Sequence, residues 1–139
     1  MTLPRERFLM GEGFLEGIID NFAALVKMVG KEHFGYLNFI TEVTPHCDCP
    51  PYSDVPIVPE IGIAASRDPI AIDKCSADLI NAAVGLSNSI LGEAGDEIVL
   101  KPGFDKIRRL TGKDWMRLLK LGEKMGLGSL EYELIKIDV

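Results

Sequence analysis

Apolar residues at positions 14, 15, 18, 19, 22, 25, 26 and 29 recur with the spacing of a single helix face. They predict a helix from about Gly13 to Met28, with Gly30 as its stop. The pattern then changes. Phe34 to Val43 (FGYLNFITEV) is rich in aromatic and β-branched residues and reads as a strand. In TPHCDCPPYSDVPIVPE, prolines at 45, 50, 51, 56 and 59 exclude both a helix and a central strand. A long, stiff loop is therefore expected, of a length that often carries function. Ile61 to Ala65 reads as a short buried strand.

Asp68-Pro69 looks like the start of a helix, with Asp68 as N-cap and Pro69 in the first turn. This helix should run to about Ala83, with Ile72, Cys75, Leu79, Ala82 and Ala83 on one face. Gly85 to Gly103 has weak periodicity and is expected to be mostly loop. Lys113 to Lys124 predicts a helix that turns Trp115, Leu118, Leu119 and Met125 inward. Glu131 to Ile137 (EYELIKI) alternates and predicts a final strand with one wet face. Strands separated by helices imply an α/β fold, a small layered sheet flanked by helices. At 139 residues the chain is expected to form a single domain over 1–139, with 1–10 as a loose arm.

A formal charge of −6 argues against nucleic-acid binding through a generally basic surface. The charge is uneven. Between Pro45 and Glu97 only Arg67 and Lys74 oppose the acids, whereas Asp105 to Lys124 is basic. Two solvated faces of opposite sign are the plain reading; self-association or docking of an acidic partner is the sharper one. No apolar run approaches the roughly 20 residues of a membrane helix. The start is not that of an export signal, and three cysteines suggest a reducing compartment, so a cytoplasmic location is expected.

The chemistry concentrates in His46-Cys47-Asp48-Cys49. Thiolates two residues apart can face one soft metal ion, and His46 or a nearby carboxylate can complete the set. The prolines would hold the loop before a ligand arrives, which lowers the cost of ordering it. The competing reading is two small thiols in a turn, with Asp48 capping backbone N–H groups. Cys75 is a further ligand, a reactive thiol near a helix N-terminus, where the dipole favours thiolate, or a core residue on the apolar stripe. Asp54, Glu60 and Asp68 surround the junction of the short strand and the next helix, where α/β proteins bind anions and small ligands. With Asp48 and Cys75 they form the candidate pocket of an enzyme, although Asp68 also has a sufficient role as a cap. No P-loop or Ser-His-Asp pattern is present in the sequence.

The strand YLNFIT, the Cys47-Asp48-Cys49 loop, Asp54 followed by Pro56-Ile57-Val58-Pro59, Asp68-Pro69-Ile70-Ala71-Ile72-Asp73 and the tail MGLGSLEYELIKI are similar to one family. From about Phe34 onward the chain resembles the C-terminal part of domain of unknown function family 362, whose members are associated with iron–sulfur binding. Many of them carry a ferredoxin-like Cys-x-x-Cys-x-x-Cys cassette upstream of this region, and this sequence has none. The resemblance implies a metal ion or iron–sulfur cluster at Cys47, Cys49 and His46. Two cysteines are too few for a usual four-thiolate cluster. A homo-oligomer or a separate ferredoxin-like protein is the expected partner. A small-molecule enzyme and a purely structural assembly subunit are the other two readings.

Overall fold

The computed structural model describes residues 12–46, 53–93 and 95–137. The expected arm, residues 1–10, lies outside them. Helix α1 spans Glu12–Val29 and closes at Gly30, whose N–H donates to the Val26 carbonyl at 2.9 Å. A single 3-10 turn at Lys31–His33 leads into strand β1, Tyr36–Ile40. Strand β2, Gly62–Ser66, pairs antiparallel with β1, with Tyr36 opposite Ser66 and Ile40 opposite Gly62. Helix α2 then runs Pro69–Ala82 across the inner face of this pair. Asp68 caps it and Pro69 opens it, as expected from their side-chain chemistry.

The protein is a mixed α/β fold with a small sheet, and three details depart from expectation. The paired strands are consecutive and antiparallel, joined through the proline-rich stretch with no intervening helix among the described residues. Glu131–Ile137 has no regular secondary structure and joins no ladder among the described residues. The one wet face expected from its alternation is not found either, since every residue from Glu131 to Ile137 is exposed and no described strand or core covers its apolar positions. This segment is held by side chains instead: the Tyr132 hydroxyl donates to Asp78 at 2.8 Å, and the Glu123 carboxylate accepts from the Leu130 N–H at 2.7 Å.

The third departure is helical structure after residue 85. Helix α3, Ile90–Glu93, and a 3-10 turn at Glu97–Leu100 occupy the expected loop. Helix α4, Lys106–Thr111, precedes helix α5, which begins only at Met116 and ends at Lys124. Asp105 caps α4 through the Arg108 N–H at 2.9 Å, and Gly112 ends it in a left-handed conformation.

Two apolar clusters organise the packing. Ile19 and Val26 of α1 meet Ile70, Leu119 and Leu127 in the first. Gly122 lets α5 approach this cluster: a methyl there would stand 3.1 Å from Ile19 Cδ1 and closer still to Ile70 Cδ1. The second gathers Ile57, Val58, Leu91 and Val99, with Ile80 and Ala83 at the far end of α2 packed against it. Helix α2 thus contributes to both.

Candidate functional site

The connection between β1 and β2 is fastened at both ends. The Ile61 N–H donates to the Ile40 carbonyl at 3.0 Å, one residue out of register with the strand pair, just where the ladder ends. Farther in, the Ile57 N–H donates to the Val43 carbonyl at 2.8 Å, and the Leu86 N–H to the Ile57 carbonyl at 2.8 Å. Ile57 and Val58, lying between prolines, are each only 1% exposed in the second cluster. Burying two large aliphatic side chains contributes roughly 1.5–3 kcal/mol each, enough to hold this arm against the core. The neck encloses the sequence HCDC. Cys47, Asp48 and Cys49 themselves lie outside the described residues.

On the ascending arm His46 is exposed, and its carbonyl accepts from the Thr44 hydroxyl at 3.0 Å. On the descending arm Asp54 is exposed and accepts from the Val55 N–H at 2.7 Å. Glu60 is exposed beside Pro59. No group of three His, Cys, Asp or Glu residues positioned to hold a metal occurs among the described residues.

Asp68 is engaged on both carboxylate oxygens. Oδ1 accepts from the Ile70 and Ala71 N–H groups at 2.9 Å each, and Oδ2 from the Ser129 N–H at 2.9 Å. The residue thereby ties the start of α2 to the C-terminal segment.

Cys75 sits on the buried side of α2 with a free thiol, 6% exposed. Burial is the largest influence and pushes the thiol up, and Asp78 adds to it, while Tyr132 and Lys74 act in the opposite direction. The sulfur is therefore a protonated core thiol at neutral pH rather than an activated nucleophile. Lys74 pairs with Asp78 one turn along and stands 6.0 Å from the centre of the Tyr132 ring. The Tyr132 hydroxyl is raised first by burial and then by its bond to the Asp78 carboxylate.

This small network was not anticipated from sequence; the signal available was Lys74 and Asp78 at helical i,i+4 spacing. Both acids are raised in the fold, so the unfolded chain releases its protons first. Stability from this pair is complete below the ordinary values of 9.0 for cysteine and 10.0 for tyrosine, and declines as pH rises past them. Tyr132→Phe is expected to cost about 1 kcal/mol at neutral pH through the lost hydrogen bond. It should also flatten the alkaline fall in denaturant midpoint. An equally steep fall in the variant would remove Tyr132 as its source.

The described residues form surface grooves in two places of note. One of about 250 Å³ is floored by Ile19, Phe22, Ile70 and Leu119, with Tyr36, Asn38 and Asp73 on its lining. Asn38 donates to Asp73 at 2.9 Å and to the Ser76 hydroxyl at 3.0 Å, so the polar lining is partly satisfied within the protein. The other, about 360 Å³, lies between α3 and α4 beside Glu93 and Arg109. Neither groove is lined by Asp54, Glu60, Asp68 or Cys75.

A family model described as a domain of unknown function (DUF362) matches residues 4–78, just over half of the chain. The chain belongs to this family. The match takes in α1, both strands, the fastened connection and α2 as far as Asp78. It begins well before Phe34, where the resemblance was first legible, and the tail lies beyond it. No curated protein and no solved structure matches the chain. Among the described residues, no helix is long and apolar enough to cross a membrane.

Proposed function

We propose that this member of the DUF362 family is a metal- or iron–sulfur-binding accessory module for redox chemistry, with Cys47 and Cys49 as thiolate ligands and His46 beside them. The supporting observation is the neck at Val43–Ile57, where Ile57 and Val58 of the connection are buried in the second cluster and Ile57 is hydrogen-bonded through both its N–H and its carbonyl. A merely solvated connector has no need of such anchoring. A loop whose base is fixed places its donors with little ordering cost when a ligand arrives. Two thiolates and an imidazole suit a soft metal ion. When bound, a cluster would supply one-electron chemistry, and its remaining ligands would come from another chain. The buried, protonated thiol of Cys75 leaves the loop cysteines as the stronger ligand pair.

Metal content measured on protein purified without oxygen, beside its visible absorption, tests this. The expected result is stoichiometric metal that disappears in the Cys47→Ser/Cys49→Ser protein while helicity is retained. Iron with a visible charge-transfer band would assign a cluster, and zinc would keep the site without redox chemistry. Metal-free wild-type protein, or metal retained by the double variant, would overturn the assignment.

A further inference from the structure

The smaller groove reaches the core. It opens where α1, β1, α2 and α5 meet, and Ile19, Ile70 and Leu119 form its floor. These three belong to the first apolar cluster and are only 4%, 3% and 5% exposed. A volume of about 250 Å³ lies just below the roughly 300 Å³ at which pockets for drug-sized molecules begin. It suits a ligand of one ring and a short stem. Apolar concavities with a few converging polar groups are where small molecules bind.

The polar groups on this lining have a definite sign. Tyr36 and Asn38, two positions apart on β1, share the strand face turned to α2, which contributes Asp73. The Asn38 amide nitrogen donates to Asp73 Oδ1 at 2.9 Å and to the Ser76 hydroxyl at 3.0 Å. Both amide protons are thereby used, and the amide keeps its carbonyl oxygen as an acceptor. Among the described residues that oxygen, Asp73 Oδ2 and the Tyr36 hydroxyl have no hydrogen-bond partner. Asp73 is also the single charged group among the described lining residues. Two unused acceptors, one of them anionic, and a free hydroxyl therefore border an apolar floor. Such a border attracts a hydrogen-bonding cation and repels an anion. A neutral molecule would take the carboxylate out of water without replacing its lost hydration. A primary ammonium brings three protons to these oxygens.

We propose that this groove binds a small primary amine with an aromatic or branched apolar body, its ammonium at Asp73 and Asn38 and its body on Ile19, Ile70 and Leu119. The amine is charged at neutral pH, since ordinary alkylammonium groups titrate near about 10.4. The site uses no residue of the loop at positions 46–49 and is independent of any metal there.

Titration of the isotopically labelled full chain with phenethylamine, followed through backbone amide shifts in nuclear magnetic resonance, is the test. Phenethyl alcohol and phenylacetate carry the same ring with a neutral and an anionic head. Saturable shifts around Asn38, Ile70 and Asp73 are expected, with a dissociation constant of about millimolar for a ligand of this size. The alcohol should bind about fivefold more weakly or worse, and phenylacetate should leave these amides unmoved. Asp73→Asn should weaken the amine about tenfold, with an unchanged circular dichroism spectrum because residue 73 is exposed. Ile18→Lys sets a competing cation at an exposed position of the lining and should weaken it as well. The absence of saturable shifts at these amides overturns the proposal. So does equal binding of all three probes, or an Asp73→Asn protein that binds the amine as wild type does.

Discussion

Asp68→Ala lowers the unfolding free energy by about 3 kcal/mol, which at this chain length is a fall of about 10 °C in Tm. One part is the helix cap: two N–H groups at the start of α2 lose their acceptor, at a typical cost of about 1 kcal/mol. The larger part is the Ser129 N–H, which donates to the other carboxylate oxygen across a separation of sixty-one residues. A hydrogen bond to a charged acceptor contributes roughly 1.5–3 kcal/mol when its donor is left without a substitute. Gly128 makes the contact possible. A methyl group there would overlap Asp68 Oδ1 and come within 2.6 Å of Cγ, so Gly128→Ala must displace either the cap or the tail. The two changes act on one clamp, and the double variant should be little worse than the worse single variant. Thermal unfolding of the four proteins measures this. Simple additivity would mean that Gly128 and Asp68 act separately.

That clamp also shows what can be read locally and what cannot. Asp68 as N-cap and Pro69 in the first turn of α2 were legible because capping is settled by neighbours three residues away. The second function of Asp68 joins segments distant in sequence, and no local pattern carries that information. Helix α4 was written in plain punctuation, Asp105 before it and Gly112 after it, but six residues are too few to show a period. The tail alternates like a strand, and its first apolar position is taken by a side-chain bond from Tyr132 to α2. Alternation cannot distinguish these outcomes: it suggests one dry face, whereas all of Glu131–Ile137 is exposed, because nothing in a local pattern says what lies alongside.

In the candidate site, the proline-rich connection was legible through the fixed φ and missing N–H of proline. That Ile57 and Val58 belong to a core was not, because a pair of aliphatic residues between prolines has no periodicity to interpret. The carboxylates grouped by sequence proximity separate in space by role: Asp68 is engaged by backbone, whereas Asp54 and Glu60 face solvent.

Lys106→Ala costs about 4 kcal/mol, for a reason that inverts the usual expectation for a surface residue. Lysine is almost never fully buried, yet Lys106 is 0% exposed, and its ammonium donates to the Asn81 carbonyl at 2.8 Å and the Lys101 carbonyl at 3.1 Å. Its own N–H donates to Asn81 Oδ1 at 2.9 Å. The side chain thus staples the end of α2 to the start of α4. Truncation leaves a cavity and removes both donors. Lys106→Met retains the volume and should cost less, about 1–2 kcal/mol, because each carbonyl keeps a second donor, the Gly103 N–H at Asn81 and the Phe104 N–H at Lys101.

The pH dependence tells the charge from the packing. Burial lowers the Lys106 ammonium below the ordinary 10.5, so the unfolded chain holds its proton more tightly than the folded one. Stability from this group therefore rises with pH from the lowered folded value up to 10.5, opposite in sign to the contribution of Cys75 and Tyr132. The difference between wild type and Lys106→Met, which cancels the terms common to both, should widen between neutral and alkaline pH. Denaturant titrations across that interval measure it. A difference that stays constant would mean that Lys106 acts as a packed stem whose charge is never desolvated, and a narrowing one would reverse the sign argued here.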